Sequence, residues 1–271
     1  MTTLTALFLA VIPAEAQDAA TVEVPFSRRI EVGLGTDIRL MNGMGDLDVV
    51  IGDAGAVTIE GQEGGGGTDE AQLIVLRESD RVIVCIAPPD AQCDEDGIQF
   101  ERRRNRNRTD VDVRVTVPPG SEVDVSSGMG DVFVRGVVEP VFAASGNGDV
   151  AVEGAGAEVE ASSGNGSVRV TTTGGPVSAS SGNGDIEVEM GEVPVDARMR
   201  FNSGNGDIVL TLPASFAGEI DATFGNGGLQ SDFPVTLSDG FSRHRVRGVI
   251  GSADARIRAS SGNGDLVLRR R

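Results

Sequence analysis

The sequence predicts an all-β fold: a single-domain parallel β-solenoid, right-handed and β-helix-like, of about eight two-strand coils. Three observations predict it. Ser-Gly-Asn-Gly-Asp stands at 145–149, 181–185, 203–207 and 261–265, with looser copies at 42–46, 127–131, 163–167 and 224–228. The first glycines of the central copies, Gly128, Gly146, Gly164 and Gly182, are 18 residues apart, and Gly204 and Gly225 follow at 22 and 21. Apolar residues alternate on both sides of each copy: Val159 and Ala161 before Gly164, for example, and Val168 and Val170 after it. Period-2 alternation is strand, and a fixed period of this size marks a stacked, quasi-one-dimensional architecture. In a solenoid each residue lies over its counterpart in the next coil, so identical corners are the natural outcome. Antiparallel hairpins would give no reason for every corner on one side to match. The crossover rule sets the right hand.

The elements follow in order. Leu4–Pro13 is short and apolar and ends in Ala14-Glu15-Ala16, so residues 1–16 read as an export signal peptide cleaved after Ala16. Its n-region carries no Lys or Arg, and a buried N-terminal strand or helix is the rival reading. Residues 17–271 then form the β-solenoid domain. Its 17–120 part is less regular, and 17–35, with Pro25, is the candidate N-terminal cap. Strand-like runs occupy 56–60, 71–77, 81–87 and 110–117, interrupted by a Gly-rich turn at 64–67 and a polar insert at 88–109. Residues 121–271 hold the regular repeats, joined opposite the Gly-Asn-Gly corner by looser turns such as Gly154-Ala155-Gly156. One coil buries too little to stand alone, so stability is collective and the ends need protection. Arg269-Arg270-Arg271 would blunt an open final edge with charge.

Composition fits a narrow core. The 271 residues include 38 Gly and no Trp, Tyr or Lys, so Val, Ile, Leu and Ala must fill the interior. Formal net charge is −18, and removing 1–16 leaves 40 acidic residues against 23 Arg. That charge opposes nucleic acid and anionic lipid as partners. No later apolar run approaches the ~20 residues of a membrane span. Cys85 and Cys93 are expected to pair as a disulfide in an exported chain, because two thiols without nearby His make a poor zinc site.

At the corner, glycine on both sides of Asn permits positive φ, and the Asn row can stack as an amide ladder. Asn147, Asn165, Asn183, Asn205 and Asn263, with Asn226, are read as structural, since Met44 and Met129 fill the same slot. The Asp row admits two readings. Stacked carboxylates repel unless neutralised, so Asp149, Asp185 and Asp207 are candidate calcium ligands. Equally, they could accept backbone N–H groups. The glycine-rich calcium nonapeptide is an analogy, since 18 is twice nine, but Ser167 and Gly228 interrupt the row. The expected cofactor is none, with calcium the exception to test. The sole histidine, His244, sits in Ser242-Arg243-His244-Arg245 with no nucleophile motif near it. Arg102, Arg103, Arg104, Arg106 and Arg108 are the candidate contact for an anion or glycan, against the reading that Asp94-Glu95-Asp96 neutralises them within a surface loop.

Val115-Thr116-Val117-Pro118-Pro119-Gly120, then Val123-Asp124-Val125, then the tandem Ser-Gly-Asn-Gly-Asp copies resemble the bacterial putative-adhesin family of uncharacterised exported or envelope domains. They also look like the related head-GIN putative autotransporter-adhesin domains. The resemblance covers about 30–271. It implies a β-helix-like solenoid in the cell envelope (periplasm, outer-membrane surface or outside the cell) and supplies no catalytic residue. The expected function is a non-enzymatic envelope module whose partner is a surface macromolecule or glycan. The alternatives are a polysaccharide-active β-helix enzyme and a calcium-binding envelope repeat protein.

Overall fold

The computed structural model describes residues 16–64, 70–78, 80–88, 91–94, 97–100, 110–238, 242 and 244–271. The signal-peptide segment and the Arg102–Arg108 stretch lie outside these, apart from Ala16. The chain opens with β1 (Ala16–Glu23), β2 (Phe26–Glu31), β3 (Asp37–Asn42), β4 (Leu47–Ile51) and β5 (Ala56–Glu63). It continues through β6 (Glu70–Arg77), β7 (Arg81–Ala87), β8 (Ala91–Asp94), β9 (Gly97–Phe100) and β10 (Val111–Val117). The repeats give β11 (Val123–Met129), β12 (Val132–Arg135), β13 (Val141–Asn147), β14 (Val150–Ala155), β15 (Val159–Asn165) and β16 (Val168–Thr172). Then come β17 (Val177–Asn183), β18 (Ile186–Met190), β19 (Arg198–Asn205), β20 (Ile208–Leu212), β21 (Gly218–Asn226) and β22 (Leu229–Ser231). The chain closes with β23 (Thr236–Leu237), β24 (Arg245–Ile250), β25 (Ala255–Asn263) and β26 (Leu266–Arg270).

These strands build two long sheets. Sheet A runs β1-β6-β7-β3-β11-β13-β15-β17-β19-β25-β21-β24-β23, and sheet B runs β2-β5-β10-β4-β12-β14-β16-β18-β20-β26-β22. Thirteen strands at ~4.8 Å make sheet A roughly 58 Å long. Each coil supplies one strand to each sheet, so the stack reads, from its N-terminal end, β3/β4, β11/β12, β13/β14, β15/β16, β17/β18, β19/β20, β25/β26, β21/β22. These are coils 1 to 8. Within the stack every pairing is parallel, and the columns keep register, with one bulge between Glu153 and Ala155 in the β14–β16 pair: Val141 lies over Val159, and Val159 over Val177. The solenoid expectation therefore holds, and the phrase that repeats in sequence repeats in space.

The stacking order differs from the chain order at one place. The last segment, β25/β26, sits between coils 6 and 8, so β26 is flanked by β20 and β22. Arg269 and Arg270 therefore lie within an interior strand, with Arg271 directly after it, and the triplet blunts no edge, contrary to expectation. The physical reason is legible in the two copies. The 224–228 copy carries Phe224 where the others have Ser or, in the first, Asn42, and Gly228 where the others have Asp or, in one, Ser167; its β22 has three residues. End coils of a solenoid are atypical because they face solvent on one side. The regular 261–265 copy, which can satisfy neighbours on both sides, occupies the interior.

Antiparallel strands extend both sheets at the N-terminal end and sheet A at the other, where sheet B ends on the short parallel β22. At one end β1 pairs with β6 and β2 with β5; at the other β24 pairs with β21 and β23 with β24. One apolar core runs from Ile30 to Leu268 between the sheets. Side chains shrink toward the corner, as in Val159, Ala161 and Ser163, where the sheets converge. Phe201 is wholly buried and stacks between Ala179 and Ala259, whose small size leaves it room. Phe216, Phe224 and Phe233 plug the far end, with Phe216 and Phe233 edge to face at 6.0 Å.

The insert at 88–109 is more structured than a polar loop. β8 and β9 form an antiparallel hairpin within it. Its Cys93 and Ile98 pack with Met41, Ile74, Leu76, Ile83 and Cys85 in a second apolar cluster separate from the main core. This explains why β7, Arg-Val-Ile-Val-Cys-Ile-Ala, does not alternate: it is buried on both faces.

Candidate functional site

The corners form one long edge of the rod. Each carries the chain from sheet A to sheet B, and both glycines are required. Gly148 has φ of 153°, and a Cβ there would lie 2.2 Å from the Gly130 carbonyl oxygen of the coil beside it. A Cβ on Gly146 would lie 2.5 Å from the Gly128 oxygen. Backbone stacked against backbone leaves no room for a side chain.

Three ladders run along this edge. In the Asn row, Asn165 Nδ2 donates to Asn147 Oδ1 at 2.9 Å, Asn183 to Asn165 at 2.8 Å and Asn205 to Asn183 at 2.8 Å. Asn263 then donates to Asn205 at 2.6 Å and Asn226 to Asn263 at 2.7 Å, following the spatial order of the coils. In the Asp row, Asp46 Oδ1 accepts the Asp131 N–H at 2.8 Å and Asp131 Oδ1 accepts the Asp149 N–H at 2.7 Å. Asp149 accepts from Ser167, Asp185 from Asp207, Asp207 from Asp265 and Asp265 from Gly228, all at 2.7–2.9 Å. Sequence reasoning missed the third ladder. Ser145 Oγ donates to the Gly130 oxygen at 2.7 Å, Ser163 to Gly148 at 2.7 Å and Ser181 to Gly166 at 2.8 Å. These hydroxyls are buried and point inward. The recurrence of Ser at a strand position otherwise reserved for apolar residues was the signal available.

The Asp row thus has the second of its two readings built in: each carboxylate uses Oδ1 on a backbone N–H of the next coil. Among the described residues no group of three or more His, Cys, Asp or Glu converges as a metal site. Burial raises the Asp46 carboxyl above its usual range, the Asp131 N–H opposes the rise, and Asp112, Asp131 and Asp110 add to it.

The outer face of sheet A holds a different arrangement. A concavity of about 450 Å³ crosses coils 4 to 7, with Glu160, Ser178, Ser180 and Asn202 in its lining. Arg198, Arg200, Arg256 and Arg258 also line it. Arg198 is in register with Arg256, and Arg200 with Arg258. Parallel spacing puts the backbones of each pair ~4.8 Å apart, and alternation points all four side chains outward. Arg256 Nη2 pairs with Glu219 Oε2 at 2.6 Å. Asp221, beside Arg258 in register, is engaged by Arg245 at 2.8 Å and Arg247 at 3.4 Å, and the Arg245 hydrogen bond holds its carboxyl below the usual range against burial. Arg198, Arg200 and Arg258 form no ion pair among the described residues. This grid was invisible in the sequence because its two halves are 58 residues apart and meet only through the displaced final coil.

Cys85 of β7 and Cys93 of β8 lie side by side, with Cα atoms 6.4 Å apart. His244 is exposed, and its carbonyl oxygen accepts the Phe224 N–H at 2.9 Å. It is not among the residues that line the concavity.

A two-sheet, parallel, tandem-repeat rod with a laddered corner edge is the class of protein the fold defines. The chain belongs to the Toastrack DUF4097 family, whose model matches residues 53–269. It is also similar to a putative cell adhesion protein of Clostridium sporogenes, at 12% identity over 91% of this chain and 100% of that one, with a TM-score of 0.35. A putative adhesin of Bacteroides fragilis matches at 12% identity over 90% and 96% of the two chains, TM-score 0.41. One of Parabacteroides distasonis matches at 13% over 89% and 96%, TM-score 0.38. No curated protein matches the chain.

Proposed function

We propose that this protein is an exported, non-enzymatic, adhesin-like module of the cell envelope, a rigid rod that presents a sheet surface to envelope macromolecules or glycans. The observation that carries the reading is the broad, polar outer face of sheet A, indented across coils 4 to 7 by a concavity lined with Arg, Ser and Asn. A rod stabilised by coil-on-coil ladders holds such a face in fixed geometry, which suits recognition of an extended partner. No described helix is long and apolar enough to cross a membrane. Residues 1–16 act as the export signal, so the mature chain begins at Gln17 and 17–271 is its solenoid domain. Cys85 and Cys93 are joined as a disulfide that ties the β8–β9 hairpin to β7.

Pull-down from the native cell surface, together with a glycan array, tests the reading: a reproducible surface partner supports it. Turnover of an envelope polysaccharide would replace it with the enzyme reading. For calcium, the expected result is the same melting temperature with calcium and with EDTA, because one oxygen of each carboxylate, Oδ1, already accepts a backbone N–H of the next coil. A calcium-dependent rise would assign Asp149, Asp185 and Asp207 to the ion.

A further inference from the structure

We propose that the Arg198–Arg200–Arg256–Arg258 grid is a binding site for an acidic polysaccharide, with carboxylate or sulfate groups on the sugars as the recognised chemistry. This rests on the adhesin-like reading and names the ligand class for it. The protein carries a net charge of −18, so a local excess of Arg is not accounted for by solubility. Three of the four guanidinium groups make no ion pair among the described residues, while the neighbouring acids Glu219 and Asp221 are taken up by Arg256 and by Arg245 with Arg247. Guanidinium groups offer planar, paired N–H donors that match carboxylate and sulfate oxygens. Two rows of them, one coil apart, match a chain carrying acidic groups at regular intervals.

The rest of the lining separates a glycan from other polyanions. Ser178, Ser180 and Asn202 supply hydroxyl and amide groups for sugar hydroxyls. Single-stranded nucleic acid would need aromatic stacking platforms, and none lines the concavity. An anionic membrane would need an apolar or broadly basic surface; here the basic grid is bounded by Glu160 and Glu219 within an acidic protein.

The test is titration of the full exported chain at low ionic strength with polygalacturonate, with dextran sulfate and with neutral dextran. Binding to at least one of the two acidic polymers, weakening as salt rises, and none to neutral dextran is expected. The acidic polymer bound more tightly identifies carboxylate or sulfate as the natural group. Arg200→Gln/Arg258→Gln should weaken binding about tenfold or more, and Arg169→Gln, on sheet B, should leave it unchanged. If that double variant fails to fold, as judged by its melting curve, Arg198→Gln/Arg256→Gln gives the same reading. No binding to either acidic polymer overturns the proposal. So does binding that survives both double variants, or that falls equally with Arg169→Gln or only with Arg102→Gln/Arg103→Gln/Arg104→Gln. A surface partner that is still captured by the Arg200→Gln/Arg258→Gln protein would leave the adhesin-like reading standing and remove only this site.

Discussion

Gly182→Ala isolates the contribution of coil stacking from that of turn geometry. Gly182 does not require positive φ, so alanine costs nothing in local conformation there. Its Cβ, however, would lie 2.3 Å from the Gly164 oxygen, a backbone atom that cannot rotate away. Restoring even a 3.0 Å contact requires the coils to part by about 0.7 Å. Asn183 Nδ2 to Asn165 Oδ1 at 2.8 Å, Ser181 Oγ to the Gly166 oxygen at 2.8 Å and Gly166 N to the Asn183 oxygen at 2.9 Å would all stretch toward or beyond hydrogen-bonding range. Two or three lost bonds at about 1 kcal/mol each give a cost of about 2–3 kcal/mol. For a chain of this size that is a fall in melting temperature of roughly 5–10 °C. Gly174→Ala is the matched control: it also lacks positive φ, and its Cβ would meet the Gly156 oxygen at an ordinary 3.6 Å. It should be neutral or stabilising by about 0.4–1 kcal/mol. Denaturant unfolding followed by circular dichroism reads both. Equal stability of the two variants would refute the stacking argument.

Further outcomes follow from the ladders and charges. Asn183→Ala removes one donated and one accepted amide bond, whereas Asn147→Ala removes a single rung at the end of the row; thermal melts should rank Asn183→Ala as the more destabilising, by about 0.5–1 kcal/mol. The hydrogen bond from Arg245 holds the Asp221 carboxyl below its ordinary value, so its stabilising contribution is present above that ordinary value and is lost as pH falls through the lower folded one. Asp221→Asn should flatten the acid limb of the stability–pH curve, and an unchanged limb would contradict the pairing with Arg245 and Arg247. Peptide mapping without reductant should recover Cys85 and Cys93 as one linked species. Cys85→Ala/Cys93→Ala should lose about 2–3 kcal/mol; free thiols in the native protein would contradict this.

The stacked core was legible because its residues carry their position with them. Val141, Val159 and Val177 fall at one offset from their corner, and the structure lays them in one column. The runs expected at 56–60, 71–77, 81–87 and 110–117 are β5, β6, β7 and β10. The order of the last two coils was not legible, because a repeat that matches every other copy matches no copy in particular. What broke the tie were the departures, Phe224 and Gly228, which suit an end. The β8–β9 hairpin was hidden because Ala91, Cys93 and Ile98 lie in short runs among polar and charged residues. The Asp row could be read as ligand or as hydrogen-bond acceptor from its spacing alone; the positions of the N–H groups in the neighbouring coil decide what its oxygens meet. The Arg grid depends on the displaced coil, so no local pattern could have disclosed it.

That displaced coil is the feature on which both the core order and the Arg grid depend, and a cross-link tests it directly. Adjacent rungs of a parallel sheet lie ~4.8 Å apart, within reach of a disulfide, and rungs two coils apart do not. Asn205→Cys/Asn263→Cys should therefore oxidise to a bridged protein, detected by mass after proteolysis, while Asn205→Cys/Asn226→Cys should stay reduced. Bridging of 205 to 226, with none between 205 and 263, would mean that the coils stack in chain order.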